Sequence, residues 1–190
     1  MADFDFDAAV RWARFDPRKT LARRADKDLP FVDDKNFAGG ALLLDTCVYI
    51  DKLQGGSPAI VEHIVAARQI SHSTIALQEL MHAVGVLDPT DRRTSAAIAA
   101  IRMLVQSMAP HRIVVPDSDI LGRAAFLAGM LSRLQGYSAD RKFRALADCV
   151  LFLQAQKLGL IVLTANIGDF DPLLQLLPSG RVLFYRQRRA

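Results

Sequence analysis

From residue 41 onward, short apolar runs alternate with longer stretches in which apolar side chains recur every three to four positions. A short apolar run suits a strand buried on both faces, and the longer period suits a helix that lays one stripe on such a sheet. The runs predict strands at Ala41–Asp45, about Gln69–His72, Arg112–Val115, Leu160–Thr164 and Arg181–Tyr185. The periodic stretches predict helices over Ser57–Ala67, Thr74–Val86, Thr94–Met108, Asp117–Leu134 and Arg141–Leu158. Asp117 and Ser118 after Pro116 read as a helix start, and Gly159 as a helix stop. Strands alternating with helices of this length predict an α/β domain with a central, mainly parallel sheet.

Residues 1–40 follow neither period for long and hold eight acidic and eight basic residues. They read as a charged N-terminal extension before a domain spanning 41–190. Val10, Trp12, Ala13 and Phe15 are phased for a short helix docked on the core, and Arg18 to Lys27 are expected to be solvated. With 190 residues, 51% hydrophobic and 23% charged, the chain can bury one substantial core and is not disordered. Its start, MADFDFDAAVRW, lacks the basic opening and apolar centre of a secretion signal, and no run approaches a membrane span. A cytoplasmic protein is expected, with Cys47 and Cys149 as buried, reduced thiols. The net charge of +4 is carried by 18 Arg and only 6 Lys, which favours bidentate recognition of an anionic partner.

The position of the acids is more informative. Asp45 closes the run Ala41–Leu44, Glu79 interrupts Ile75–Met81, and Asp148 lies inside Leu146–Leu153. A buried carboxylate is costly unless paired or metal-bound. Ligands of open α/β sheets bind beyond the carboxyl ends of the strands, where Asp45 and the segment Thr164–Phe170 both fall. Carboxylates converging there without His or Cys suit a hard divalent cation, Mg²⁺ or Mn²⁺, and metal-assisted phosphoryl chemistry.

Four blocks, in order, resemble the PIN-domain ribonucleases, and within them the VapC-type toxins of bacterial toxin–antitoxin pairs. They are Leu43–Val48, Ser73–Leu80, Ala147–Leu160 and Leu163–Phe170, the last similar to a Thr-x-Asn-x-x-Asp-Phe ending; Pro116–Asp119 resembles a helix start in the same toxins. The resemblance covers about residues 41–185 and implies a PIN-like three-layer domain with a central five-stranded sheet and an acidic pocket. It also implies that Asp45, Glu79 and Asp148 bind metal, that Asp169 is the fourth acid, and that Thr46 orients metal or water. Thr164 and Asn166 are supporting residues; some members carry the fourth acid where this chain has Asn166. An RNA substrate, a cognate antitoxin and a homodimer follow from the same resemblance.

Arg141 and Arg144 could line an RNA groove, and Arg181, Arg186, Arg188 and Arg189 form an acid-free basic C-terminus that could meet RNA phosphates or antitoxin acids. A dehalogenase-like nucleophile would need a second Asp at Cys47, and the Glu79-x-x-His82 spacing lacks the second copy that a di-iron site requires. No Gly-x-x-x-x-Gly-Lys-Ser/Thr loop occurs. The alternatives to a toxin nuclease are a catalytically weak PIN-fold module that binds RNA or protein, and an RNA-processing nuclease outside toxin–antitoxin systems.

Overall fold

The structure, a computed structural model, describes residues 4–187; Arg188 and Arg189 lie outside the described residues. Three consecutive leucines, Leu42–Leu44 (β1), form the middle strand, and all three are buried. A strand with no polar alternation has only the interior of a sheet to occupy. Around it lie Ile70–Ser73 (β2), Ile113–Val114 (β3), Ile161–Thr164 (β4) and Val182–Phe184 (β5). The order is β3-β2-β1-β4-β5, and every pairing is parallel.

The helices are α1 (Phe6–Val10), α2 (Thr46–Leu53), α3 (Ala59–Ala67), α4 (Thr74–Gly85), α5 (Thr94–Gln106), α6 (Ser118–Gln135), α7 (Ala139–Lys157) and α8 (Ile167–Leu176). Strand side chains alternate between two helical layers. Leu42, Leu44, Leu163 and Leu183 join the core built with α2 to α5, while Leu43, Val162, Val182 and Phe184 join that of α6 to α8. The result is the expected three-layer α/β domain. Asp117 caps α6 by accepting from the Ile120 N–H at 2.9 Å, and Gly136 ends it at φ 63°, a left-handed backbone that glycine adopts without steric cost.

The five predicted helices are present, but α2 and α8 were not foreseen. The sequence of α2, Thr-Cys-Val-Tyr-Ile, is rich in β-branched and aromatic residues, and α8 contains Pro172, which removes a ladder donor. Burial decides both: Val48 and Tyr49 of α2 and Phe170 and Leu173 of α8 are almost fully enclosed.

The extension is more firmly attached than its pattern predicts. Trp12 and Phe15 pack on the α6–α8 core, and most of Arg18 to Lys27 is exposed as expected, but the segment is tied to the domain at several points. Thr20 donates to the Leu134 carbonyl at 2.9 Å, and Gln135 and Gln175 donate to the carbonyls of Leu21 and Ala22 at 3.0 Å each. Arg24 meets the fully buried Asp171 of α8 through Nε at 2.6 Å and through its backbone N–H at 2.8 Å. Farther along, Phe31 forms a parallel bridge to Phe184, so the extension covers the outer edge of β5. An exposed edge offers unpaired backbone groups, and this cover satisfies those of Phe184, whose N–H donates to the Pro30 carbonyl and whose carbonyl accepts from the Val32 N–H, each at 2.8 Å.

The chain runs β1, β2, β3 to one side of the middle strand and then returns to place β4 and β5 on the other. The carboxyl ends of β1 and β4 therefore flank a topological switch point, where a crevice opens.

Candidate functional site

Asp45 follows β1, and Thr164 ends β4, directly across that crevice. The Thr164 hydroxyl donates to Asp45 Oδ2 at 2.5 Å, and the Cys47 thiol donates to the same oxygen at 3.0 Å. Asp45 occupies the residue before α2 yet makes no side-chain cap; its carboxylate is engaged by Thr164 across the sheet and by the Cys47 thiol of α2. Glu79 reaches in from the middle of α4, where the Thr46 hydroxyl donates to Oε2. Asp148 comes from the middle of α7. Asn166, where the chain leaves β4 for α8, donates through its amide to Asp148 Oδ2 at 3.3 Å and to Asp169 Oδ2 at 3.1 Å.

All of these residues except the fully buried Thr164 line one open cavity of about 720 Å³. Asp45 is 6% exposed and Asp148 9%, and Glu79 is half-buried. Burial raises the Asp45 carboxyl above its ordinary range, opposed by the Cys47 and Thr164 hydrogen bonds. Asp148 is pushed well above, first by burial and then by the negative charges of Asp45, Asp169 and Glu79, with Arg144 opposing. Glu79 is raised by burial, which its bond from Thr46 partly offsets. Asp148 thus sits in the field of the other three acids. A second cavity, of about 600 Å³, is lined mainly by apolar residues such as Leu44, Val61 and Met108 and contains none of the four.

Asp169 stands in the first turn of α8, where Arg141 binds Oδ1 at 2.9 Å and the Tyr137 hydroxyl donates to Oδ1 at 3.4 Å. The guanidinium of Arg141 also lies 4.3 Å over the Tyr137 ring, and burial with the Asp169 charge raises the Tyr137 phenol to about 12. Arg144 lines the cavity and is exposed. Arg186 does not line it. Instead it pairs with Asp26 of the extension and lies 5.1 Å over the Phe31 ring, while its side chain stays exposed. His82 is exposed and Cys149 is buried in the core.

Among the described residues, no group of three or more His, Cys, Asp or Glu side chains is arranged to hold a metal ion as it stands. The donor chemistry nevertheless fits a hard divalent cation: the acids offer only oxygen, and Asp45 and Asp148 are buried with neutral hydrogen-bond donors in place of ion pairs. Asp169 differs, because Arg141 already balances its charge.

Sequence reasoning missed Cys47, Ile50, Asp51 and Gln54, all of which line the cavity. Their spacing of three, four and seven residues marks one face of a helix, so the signal was present once α2 is known to be helical. Gln187, just after β5, carries no such signal.

No family model and no curated protein matches the sequence. Solved structures do. A chain of VapBC2 from Rickettsia felis, bound to a DNA fragment from the promoter, superposes with a TM-score of 0.53 at 12% identity, covering 77% of this chain and 99% of that one. A chain of DNA-bound VapBC from Salmonella typhimurium gives 0.53 at 17% identity, covering 76% and 97%. A chain of FitAcB from Neisseria gonorrhoeae gives 0.50 at 20% identity, covering 76% and 96%. What they share is the fold. It is an all-parallel, five-stranded α/β sheet flanked by helices, consistent with a PIN-like domain.

Proposed function

We propose that the chain is a Mg²⁺- or Mn²⁺-dependent endoribonuclease that works in the cytoplasm as the toxin of a toxin–antitoxin pair. One observation carries this reading: Asp45, Glu79, Asp148 and Asp169 meet in one cavity at the switch point of a parallel sheet, with Arg141 and Arg144 beside them. Asp45, Glu79 and Asp148 would hold the cation. When bound, it would supply Lewis acidity toward a phosphodiester and the attacking water. Thr164 and Cys47 aim the Asp45 carboxylate and Thr46 aims that of Glu79, so these acids keep their orientation when substrate arrives. Asn166 spaces Asp148 from Asp169. Arg144 offers a guanidinium to an RNA phosphate, and Arg141 can do so by exchanging Asp169 for it. No protein nucleophile is required, since water is the attacking group.

The fold neighbours come from VapBC and FitAcB complexes, which supports a cognate antitoxin as partner. Such a partner would cover the acidic cavity, and a homodimer belongs to the same reading. RNA cleavage that requires added Mg²⁺ or Mn²⁺ and is lost in both Asp45→Asn and Asp148→Asn is expected. Full cleavage by either variant overturns the site. A second reading, a catalytically weak RNA- or protein-binding module, is favoured by the Arg141–Asp169 pair, which withdraws one acid from the cation. It predicts RNA binding without turnover.

A further inference from the structure

The cavity has a wall apart from the four acids, made by Ile50, Asp51 and Gln54 of α2 and by Gln187. Asp51 is 5% exposed. The Tyr185 hydroxyl donates to its Oδ2 at 2.6 Å and the Gln187 amide to its Oδ1 at 2.8 Å. Among the described residues it has no ion pair and no hydrogen bond to Asp45, Glu79, Asp148 or Asp169. Two neutral donors thus fix the plane of this carboxylate and leave each oxygen with a free lone pair.

A fixed, buried carboxylate without a cation repels phosphate and favours an N–H donor. Single-stranded RNA supplies such donors on its base edges, and Asp and Glu accept from the amino group of cytosine. Uracil presents a carbonyl oxygen at the same position, which would face the carboxylate acceptor to acceptor. Ile50 gives the wall an apolar surface for a base, and Gln54 and Gln187 add amides. We propose that Asp51 is a specificity-determining residue that admits an amino-bearing base beside the scissile phosphate and disfavours uracil. Tyr185 and Gln187 are its positioning residues. The inference rests on the ribonuclease reading for its substrate class, but its test does not depend on turnover.

The test is binding of the full chain to fluorescein-labelled oligo-C and oligo-U RNA of about eight nucleotides, in EDTA and followed by anisotropy. The two bases have similar stacking surface and differ at position 4, amino in cytosine and carbonyl in uracil, and at N3, an acceptor in cytosine and an N–H donor in uracil. Oligo-C is expected to bind about tenfold more tightly than oligo-U. Asn reads both groups, so Asp51→Asn is expected to bring the ratio near one, and Gln187→Ala to reduce it partway. Should Asp51→Asn fail to fold, Gln187→Ala at the exposed end of the wall decides. Equal binding of the two RNAs by the unaltered protein, a ratio unchanged in the folded variants, or no RNA binding overturns the assignment. A ratio that behaves as expected in a protein that never cleaves RNA supports Asp51 and removes only the nuclease reading.

Discussion

Asp148 lies in the field of three other carboxylates while burial keeps water from it, so its ionisation is costly until a cation arrives. Asp148→Asn is therefore expected to lower RNA cleavage by about 10²–10³-fold, measured as an initial rate, because a cation ligand is lost. The same substitution should raise the melting temperature of the cation-free protein at pH 8, because it removes a buried charge that is balanced only in the loaded state. A lower melting temperature there would mean that Asp148 is held as an ordinary structural acid. Thr164→Val deletes the donor that aims Asp45 and should cost about 10–100-fold in Mn²⁺ affinity, read by titration. Asp45, Glu79 and Asp148 were legible in the sequence because an acid inside an apolar run is conspicuous. Asp169 was legible as a position but not in its state: nothing in the spacing foretells that Arg141, 28 residues earlier, would hold it.

The buried strands and the long helices follow from hydrophobic period, while β3, two residues that are only half-buried, is the slightest of the elements so read. The elements that carry part of the site escaped that reading. In α2 poor helix formers are held by burial of Val48 and Tyr49, and in α8 Pro172 disguises an apolar stripe of Ile167, Phe170 and Leu174. The extension escaped because its attachment is polar and long-range, through Arg24, Thr20 and backbone carbonyls. Arg24→Ala leaves a fully buried carboxylate with only a backbone N–H and Gln175 as donors. That loss should cost about 2–3 kcal/mol, less than the roughly 3–5 kcal/mol of breaking a wholly buried pair, because Arg24 is partly exposed and two donors remain. Urea denaturation measures it, and a change below about 0.5 kcal/mol would show the extension to be loosely attached.

The whole molecule couples proton, cation and stability at one place. Asp45, Glu79 and Asp148 all have carboxyl groups raised above the ordinary values of 3.8 for Asp and 4.5 for Glu. The folded cluster therefore holds protons more tightly than the unfolded chain. Its contribution to stability is fully present below those ordinary values and is lost as pH rises through the raised folded ones. A divalent cation should reverse the loss, so Mn²⁺ is expected to raise the melting temperature more at pH 8 than at pH 5. Equal stabilisation at both would separate cation binding from these acids. The most direct measurement is the rate of RNA cleavage by the full chain at rising Mn²⁺, beside Asp45→Asn. A rate that is zero in EDTA, saturates with Mn²⁺ and is lost in the variant is the predicted result; a rate indifferent to Mn²⁺, or retained in Asp45→Asn, would contradict a metal-dependent centre in this cavity.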